Sequence, residues 1–97
     1  MTASARQPAD REHRQRVLKR ASIIVDLGTS EIACMVRNQT ASGAELRLPP
    51  DARATDEFLL YVPLDRTAYR CVVRWRRDDR IGVEFLGTAP KPKWHYG

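Results

Sequence analysis

The sequence lacks the features that would place it in a membrane or an export route. No apolar stretch is long enough to span a bilayer, and the opening residues MTASARQPADREHR contain no apolar region that could serve as a signal peptide. We therefore expect a soluble, cytoplasmic protein. A chain of 97 residues has room for one domain with one modest core.

Metal-binding and catalytic patterns are missing as well. His13 and His95 lie near opposite ends of the chain, and Cys34 and Cys71 have no CxxC spacing, so we expect no metal site. Each cysteine lies within an apolar run, which favours reduced core residues; a cross-strand disulfide is the alternative. There is no Gly-rich phosphate loop and no Ser/His/Asp pattern, and the carboxylates are scattered in turns. These absences predict a protein that is not an enzyme and holds no cofactor.

Positive charge is concentrated at one end. Residues 1–20 contain six Lys or Arg and two acidic residues, whereas the remaining residues contain eleven basic and ten acidic ones. A basic arm on a nearly neutral body favours an anionic partner, such as a nucleotide, nucleic acid or acidic membrane, with a solvated leader as the plain alternative. We expect residues 1 to about 12 to be disordered without ligand.

Short apolar runs separated by turn residues follow the arm. They lie at Val17–Val25, Ile32–Val36, Ala44–Leu48, Phe58–Val62, Arg70–Arg76 and Ile81–Phe85. Their length and alternation are typical of strands, and no segment shows a sustained helical period, although residues 50–55 could form a single helical turn. The prediction is an all-β fold, a small six-stranded antiparallel β-barrel, because closure removes exposed strand edges. The expected organisation is a flexible basic arm at 1–15, a barrel domain at 16–87 and an irregular tail at 88–97.

Alternation also predicts which side chains enter the core. In the fifth run, Cys71, Val73 and Trp75 share one face, which we assign to the interior. Ile24 and Phe85 occupy inward positions in their own runs. The opposite face of the fifth run presents a basic stripe, interpreted as a solvated surface, that consists of Arg70, Arg74 and Arg76.

The segment RNQTASGAEL, residues 37–46, resembles the second motif of the PilZ family, Asp/Asn-x-Ser-x-x-Gly followed by an alternating strand. Asn38, Thr40 and Gly43 occupy the three motif positions, with Thr in place of Ser. The runs CVVRWRR and IGVEF resemble the closing hairpin of that family, and the resemblance extends from about Arg11 to Leu86. It implies the barrel fold and a receptor for cyclic di-GMP, a bacterial second messenger.

The first motif of the family is a pair of arginines spaced Arg-x-x-x-Arg just before the first strand. Arg16 fits the final position, but Glu12 then stands where the other arginine belongs, leaving Arg11 and Arg14 nearby. Alternatively Arg16 and Arg20 form the pair, with Arg20 inside the first strand. The resemblance implies that these arginines grip the nucleotide in one of the two alignments.

The implied ligand suits these residue types. Arginine bonds phosphate or the guanine edge bidentately and stacks on bases, and the amide of Asn38 can read a guanine edge. The hydroxyl of Thr40 can bond a neighbouring polar group, and Gly43 allows a close approach that a Cβ would block. Asn38 and Thr40 are also common turn residues, and Gly43 has an equally plain use in a turn or bulge.

Three functions are therefore compared. The leading hypothesis is a cyclic di-GMP receptor or adaptor that acts on an unidentified protein effector. The second is a PilZ-like domain that does not bind the nucleotide and works through protein contacts, which Glu12 and Thr40 favour. The third, a small-barrel nucleic-acid binder, is least favoured because it needs exposed aromatic platforms, and Trp75 is assigned to the interior.

Overall fold

The computed structural model describes residues 15–25 and 30–89, which form a closed antiparallel barrel. Around the barrel the strands follow the order β1-β2-β3-β6-β5-β4, and β4 returns to pair with β1. The strands are β1 (Gln15–Val25), β2 (Ser30–Gln39), β3 (Gly43–Arg47), β4 (Glu57–Val62), β5 (Thr67–Arg77) and β6 (Arg80–Ala89). The predicted six-stranded antiparallel barrel is confirmed.

The ends of the chain differ slightly from the expected boundaries. β1 begins at Gln15, one residue before the expected start of the barrel, and β6 continues to Ala89, two residues into the predicted tail. Residues 1–14 of the predicted arm (1–15) and residues 90–97 of the predicted tail, together with His13 and His95, lie outside the described residues.

Helical structure is scarce in the described part of the chain, and it does not lie where the sequence indicated. Residues 50–55 form no helical turn; Ala52 N–H donates to the Pro49 carbonyl at 3.0 Å in a tight turn. The 3₁₀ turn that the described residues contain is Pro63–Asp65, which Arg66 ends in the left-handed region at φ 54°. Proline suits the start of such a turn because its φ is already fixed and its missing N–H is not needed there.

The barrel interior is filled by one apolar cluster. Its most deeply buried side chains are Ile23, Leu46, Leu60, Val36, Val62 and Cys71. Cys34 and Cys71 are both buried and unbonded, so the reduced-core prediction is confirmed. Burial raises the pKa of both thiols to about 12, so they are neutral and apolar in character at ordinary pH.

Strand register explains where the other predicted core residues lie. Ile24 is buried, but on the opposite side of β1 from Ile23, in a small second cluster with Tyr61 and Ala68. Val73 and Phe85 pack against the main core and are half-buried.

The prediction for Trp75 is wrong, because its side chain is 45% exposed. Val73 pairs with Val83 and Trp75 with Gly82, so Arg74 is an extra residue on β5. Such a β-bulge breaks the period of two, and the side chains beyond it change face.

A polar network ties the start of β1 and the end of β2 to the 3₁₀ turn and β5. Lys19 Nζ donates to Asp65 Oδ1 at 2.7 Å and to Gln39 Oε1 at 2.9 Å. Tyr69 OH and Gln39 Nε2 donate to Asp65 Oδ2 at 2.8 and 3.1 Å, and the Tyr69 ring stacks on Phe85. Burial by itself raises the pKa of Asp65, but the hydrogen bonds from Lys19, Gln39 and Tyr69 outweigh it and hold that pKa below its ordinary 3.8.

Shortening a core side chain is expected to lower the free energy of unfolding far more than shortening a surface side chain. Leu60 is 0% exposed and Leu64 is 75% exposed. Leu60→Ala should lower the free energy of unfolding by about 2–5 kcal/mol, because it removes buried methyl groups and leaves a cavity. Leu64→Ala should change it by less than about 0.5 kcal/mol. Urea unfolding measures both values, and equal losses would contradict the assigned interior.

The Asp65 network predicts a pH-dependent contribution to stability. Because the folded-state pKa lies below its ordinary value, the carboxylate stabilises the fold above that value, and the contribution is lost as pH falls through the folded pKa. Asp65→Asn should therefore lower the free energy of unfolding by about 1–3 kcal/mol at pH 7, and the difference should shrink in acid. Urea unfolding between pH 7 and pH 2 tests this, with Asp56→Asn, whose side chain is 89% exposed, as control. A difference that stays constant down to pH 2 would contradict it.

Candidate functional site

The turn between β2 and β3 is built by the hydroxyl of Thr40. Thr40 Oγ1 accepts hydrogen bonds from the backbone N–H groups of Ser42 and Gly43, both at 3.1 Å, and Thr40 N–H donates to the Gly43 carbonyl at 2.9 Å. This is the turn chemistry for which Ser and Thr are selected at such positions. The hydroxyl thus has a structural partner within the motif itself.

Gly43 is required by the close approach of two strands. A Cβ at this position would lie 2.3 Å from the carbonyl oxygen of Val83 on β6. That distance is far inside van der Waals contact, so only glycine lets β3 and β6 pair here. The glycine of the motif therefore has a purely structural reason to be present.

Asn38 lies where β1, β2 and β3 meet. Its Cα is opposite Arg16 on β1 and opposite Glu45 on β3, and its Nδ2 donates to Glu45 Oε1 at 2.8 Å. Two cavities adjoin at this residue, because Asn38 lines both. It is therefore the centre of the candidate site.

One of these cavities is a basic cleft of about 750 Å³, formed by Arg16, Arg37 and Arg80 with Val17, Leu18 and Asn38. Arg80 Nη1 lies 3.2 Å from Glu45 Oε2. Among the described residues no carboxylate lies within ion-pair distance of Arg16 or Arg37. Guanidinium groups without a carboxylate partner are available to an external anion.

The second cavity, of about 270 Å³, contains an exposed aromatic face. The motif turn, β3 and β6 line it together with Arg74 and Trp75. The indole of Trp75 lies against Gly82, where a Cβ would come within 2.0 Å of Nε1. Gly82 thus leaves room for the indole against β6, and the exposed part of Trp75 is of a kind that can stack with a planar base.

Of the arginines considered for the first motif, the structure describes Arg16 and Arg20, and these two lie in different surroundings. Arg16 lies in the basic cleft beside Asn38. Arg20 is exposed on β1 opposite Met35 and is not among the residues that line either cavity. Arg11 and Arg14 lie outside the described residues.

Sequence reasoning missed three side chains of the site, Arg37, Arg80 and Trp75. Arg37 directly precedes Asn38, so its proximity to the motif was a usable signal. Arg80 reaches the cleft only because β6 pairs with β3, and Trp75 is exposed only because of the bulge in β5. Neither arrangement has a local sequence signal.

Within residues 15–25 and 30–89, no group of three or more His, Cys, Asp or Glu side chains is placed to hold a metal ion. The same residues contain no helix with the length and apolar character needed to cross a membrane.

Comparison with known proteins agrees with the barrel fold. A search among curated sequences gives no match. The family model described as PilZ domain matches residues 10–93, which include all six strands and both cavities. With a match over most of its length and the motif turn between β2 and β3, the chain belongs to the PilZ domain family.

Proposed function

We propose that this domain is a receptor or adaptor for cyclic di-GMP in bacterial second-messenger signalling, acting in the cytoplasm on a protein effector. The observation that carries the proposal is the junction at Asn38, where a basic cleft meets a pocket with an exposed indole. A cyclic dinucleotide presents phosphates and planar guanines a short distance apart. The two cavities offer complementary chemistry for these two parts.

The basic cleft is suited to the phosphates. Arg16 and Arg37 have no carboxylate partner among the described residues, and Arg80 shares the same cleft. Arginine forks match phosphate oxygens bidentately, and such charge-assisted bonds are about twice as strong as neutral ones. Arg16 also lies at the start of β1, next to the basic arm, so it can act together with the arginines that precede it.

The pocket beside Trp75 is suited to a guanine. The exposed face of the indole offers stacking, and the amide of Asn38 at the junction offers donors and an acceptor to the guanine edge. In this proposal Thr40 and Gly43 contribute by holding the turn and the β3–β6 approach, since both already have structural partners.

The second candidate function is a PilZ domain that acts through protein contacts without the nucleotide. Glu12 stands at a motif position where arginine is expected. In addition, the Glu45 carboxylate already accepts a hydrogen bond from Asn38 and pairs with Arg80. Exposed leucines at Leu18, Leu64 and Leu86 offer apolar contacts for a protein partner.

A nucleic-acid binder is favoured least. The exposure of Trp75 removes the objection drawn from its predicted inward position. The arginine stripe of β5 is largely neutralised, however, because Arg74 pairs with Glu84 and Arg76 with Asp56. A stripe paired in this way lacks the free positive charge that dominates affinity for a nucleic-acid backbone.

Arg16→Ala is expected to weaken cyclic di-GMP binding about tenfold to a hundredfold, through loss of a charge-assisted contact. Arg70→Ala is the matched control, because Arg70 is exposed on β5 and lines neither cavity. Isothermal calorimetry measures the affinity of both variants.

Arg20→Ala distinguishes the two alignments of the first motif. A loss of affinity like that of Arg16→Ala supports the Arg16/Arg20 pair, and little change supports Arg16 with Arg11 or Arg14. If the wild type shows neither heat nor chemical-shift change at about 0.5 mM nucleotide, the receptor proposal fails and the protein-contact function replaces it.

Trp75 should report binding directly. Stacking on a base is worth about 1–3 kcal/mol, so Trp75→Ala should weaken binding by a factor between about 5 and about 150. Trp94→Phe leaves Trp75 as the single tryptophan, and its fluorescence should change on saturation with cyclic di-GMP. Unchanged emission at saturation, together with unchanged affinity of Trp75→Ala, would exclude the indole from the site.

A further inference from the structure

Glu45 lies between the two cavities and holds a group from each side of their junction. Its Oε1 accepts from Asn38 Nδ2 at 2.8 Å, and its Oε2 lies 3.2 Å from Arg80 Nη1. Its side chain is only 20% exposed, compared with 89% for that of Asp56, which pairs with Arg76 elsewhere on the barrel. Solvent therefore screens the charge of Glu45 less than that of Asp56.

The position of Glu45 is set by the sheet and not by a flexible loop. β3 places it opposite Asn38 on one side and opposite Gly82 of β6 on the other. Both of these pairs belong to the closed barrel, so the backbone of Glu45 holds its carboxylate within reach of Asn38 and Arg80.

A carboxylate and a phosphate present the same acceptor chemistry to an arginine fork. In the basic cleft Arg16 and Arg37 lack a carboxylate partner among the described residues, whereas Arg80 is engaged by Glu45. An anion that enters the cleft therefore meets the guanidinium groups of Arg16 and Arg37, which have no carboxylate partner among the described residues. The third guanidinium group, that of Arg80, is already paired with the Glu45 carboxylate. The negative charge of Glu45 also repels the incoming phosphate.

We propose that Glu45 is an internal competitor for the anionic ligand and sets the affinity of this site. The proposal rests on the function proposed above. Ligand phosphate gains the whole guanidinium fork of Arg80 only by displacing the Glu45 carboxylate from Nη1, and the amide of Asn38 is released in the same movement. Ligands without phosphate charge cannot drive this exchange, so Glu45 also makes the site selective for phosphate-bearing ligands.

The test is Glu45→Gln, with Asp56→Asn as the matched control. Both substitutions raise the net charge by one and release one arginine, but Asp56 and Arg76 line neither cavity. The glutamine still accepts the hydrogen bond from Asn38 through its amide oxygen, but it has no negative charge to pair with Arg80. Calorimetric titration with cyclic di-GMP should show binding about threefold to tenfold tighter for Glu45→Gln, and within about twofold of wild type for Asp56→Asn.

Arg80→Ala and the double variant Glu45→Gln/Arg80→Ala complete the test. If Glu45 competes for Arg80, the gain from Glu45→Gln should be largely lost when Arg80 is absent.

Two results would overturn it. If wild type binds and Glu45→Gln binds equally or more weakly, Glu45 positions Asn38 and Arg80 instead of competing, and the receptor function still stands. If neither wild type nor Glu45→Gln binds the nucleotide, the receptor function and this inference fail together.

Discussion

Pairing of β1 with β4 closes the barrel, and the positions of the site residues depend on it. The contact extends over three residue pairs, Ser22 with Tyr61, Ile23 with Leu60 and Ile24 with Leu59. It buries Ile23 and Leu60 completely in the interior, and it removes two strand edges that would otherwise be open. The same closure brings the start of β1 to the 3₁₀ turn, where Lys19 reaches Asp65.

The end of the barrel that holds the motif is organised by polar contacts as well as apolar packing. Asp65 accepts from Lys19, Gln39 and Tyr69, and so joins three separate parts of the chain. Gln39 lies between Asn38 and Thr40, so the network anchors the strand that carries the motif. A site held on paired strands and supported by a half-buried network keeps its geometry better than one carried by a loop.

Two of the three arginines in the basic cleft have no carboxylate partner among the described residues. Arg47, Arg74 and Arg76 each pair with a carboxylate outside the basic cleft. Arg16 and Arg37, inside the cleft, have no such partner among the described residues, and Arg80 shares Glu45 with Asn38. Two guanidinium groups without a carboxylate partner and one that is paired therefore lie beside Asn38, with one carboxylate at the border of the cleft.

Local sequence was sufficient to predict the number and type of the strands. Alternation of apolar residues predicted six strands, and their short spacing with turn residues predicted a barrel, because both signals arise from neighbours along the chain. The motif at Asn38, Thr40 and Gly43 was predicted to lie between two strands, and the runs CVVRWRR and IGVEF were expected to form a closing hairpin, which β5 and β6 do. The buried, reduced cysteines followed from their apolar surroundings in the sequence.

Only the tertiary structure decided which side chains meet at the site. Trp75 faces outward because a bulge in β5 changes its phase, and the bulge is defined by the pairing of β5 with β6. Arg16 lies beside Asn38 because β1 pairs with β2 in one register, and Arg80 joins them because β3 pairs with β6. Register and strand order are set by contacts between residues far apart in the chain, and a one-residue change in register reverses the face of every side chain. The sequence by itself therefore determined the elements, whereas the composition of the site depended on how those elements pair.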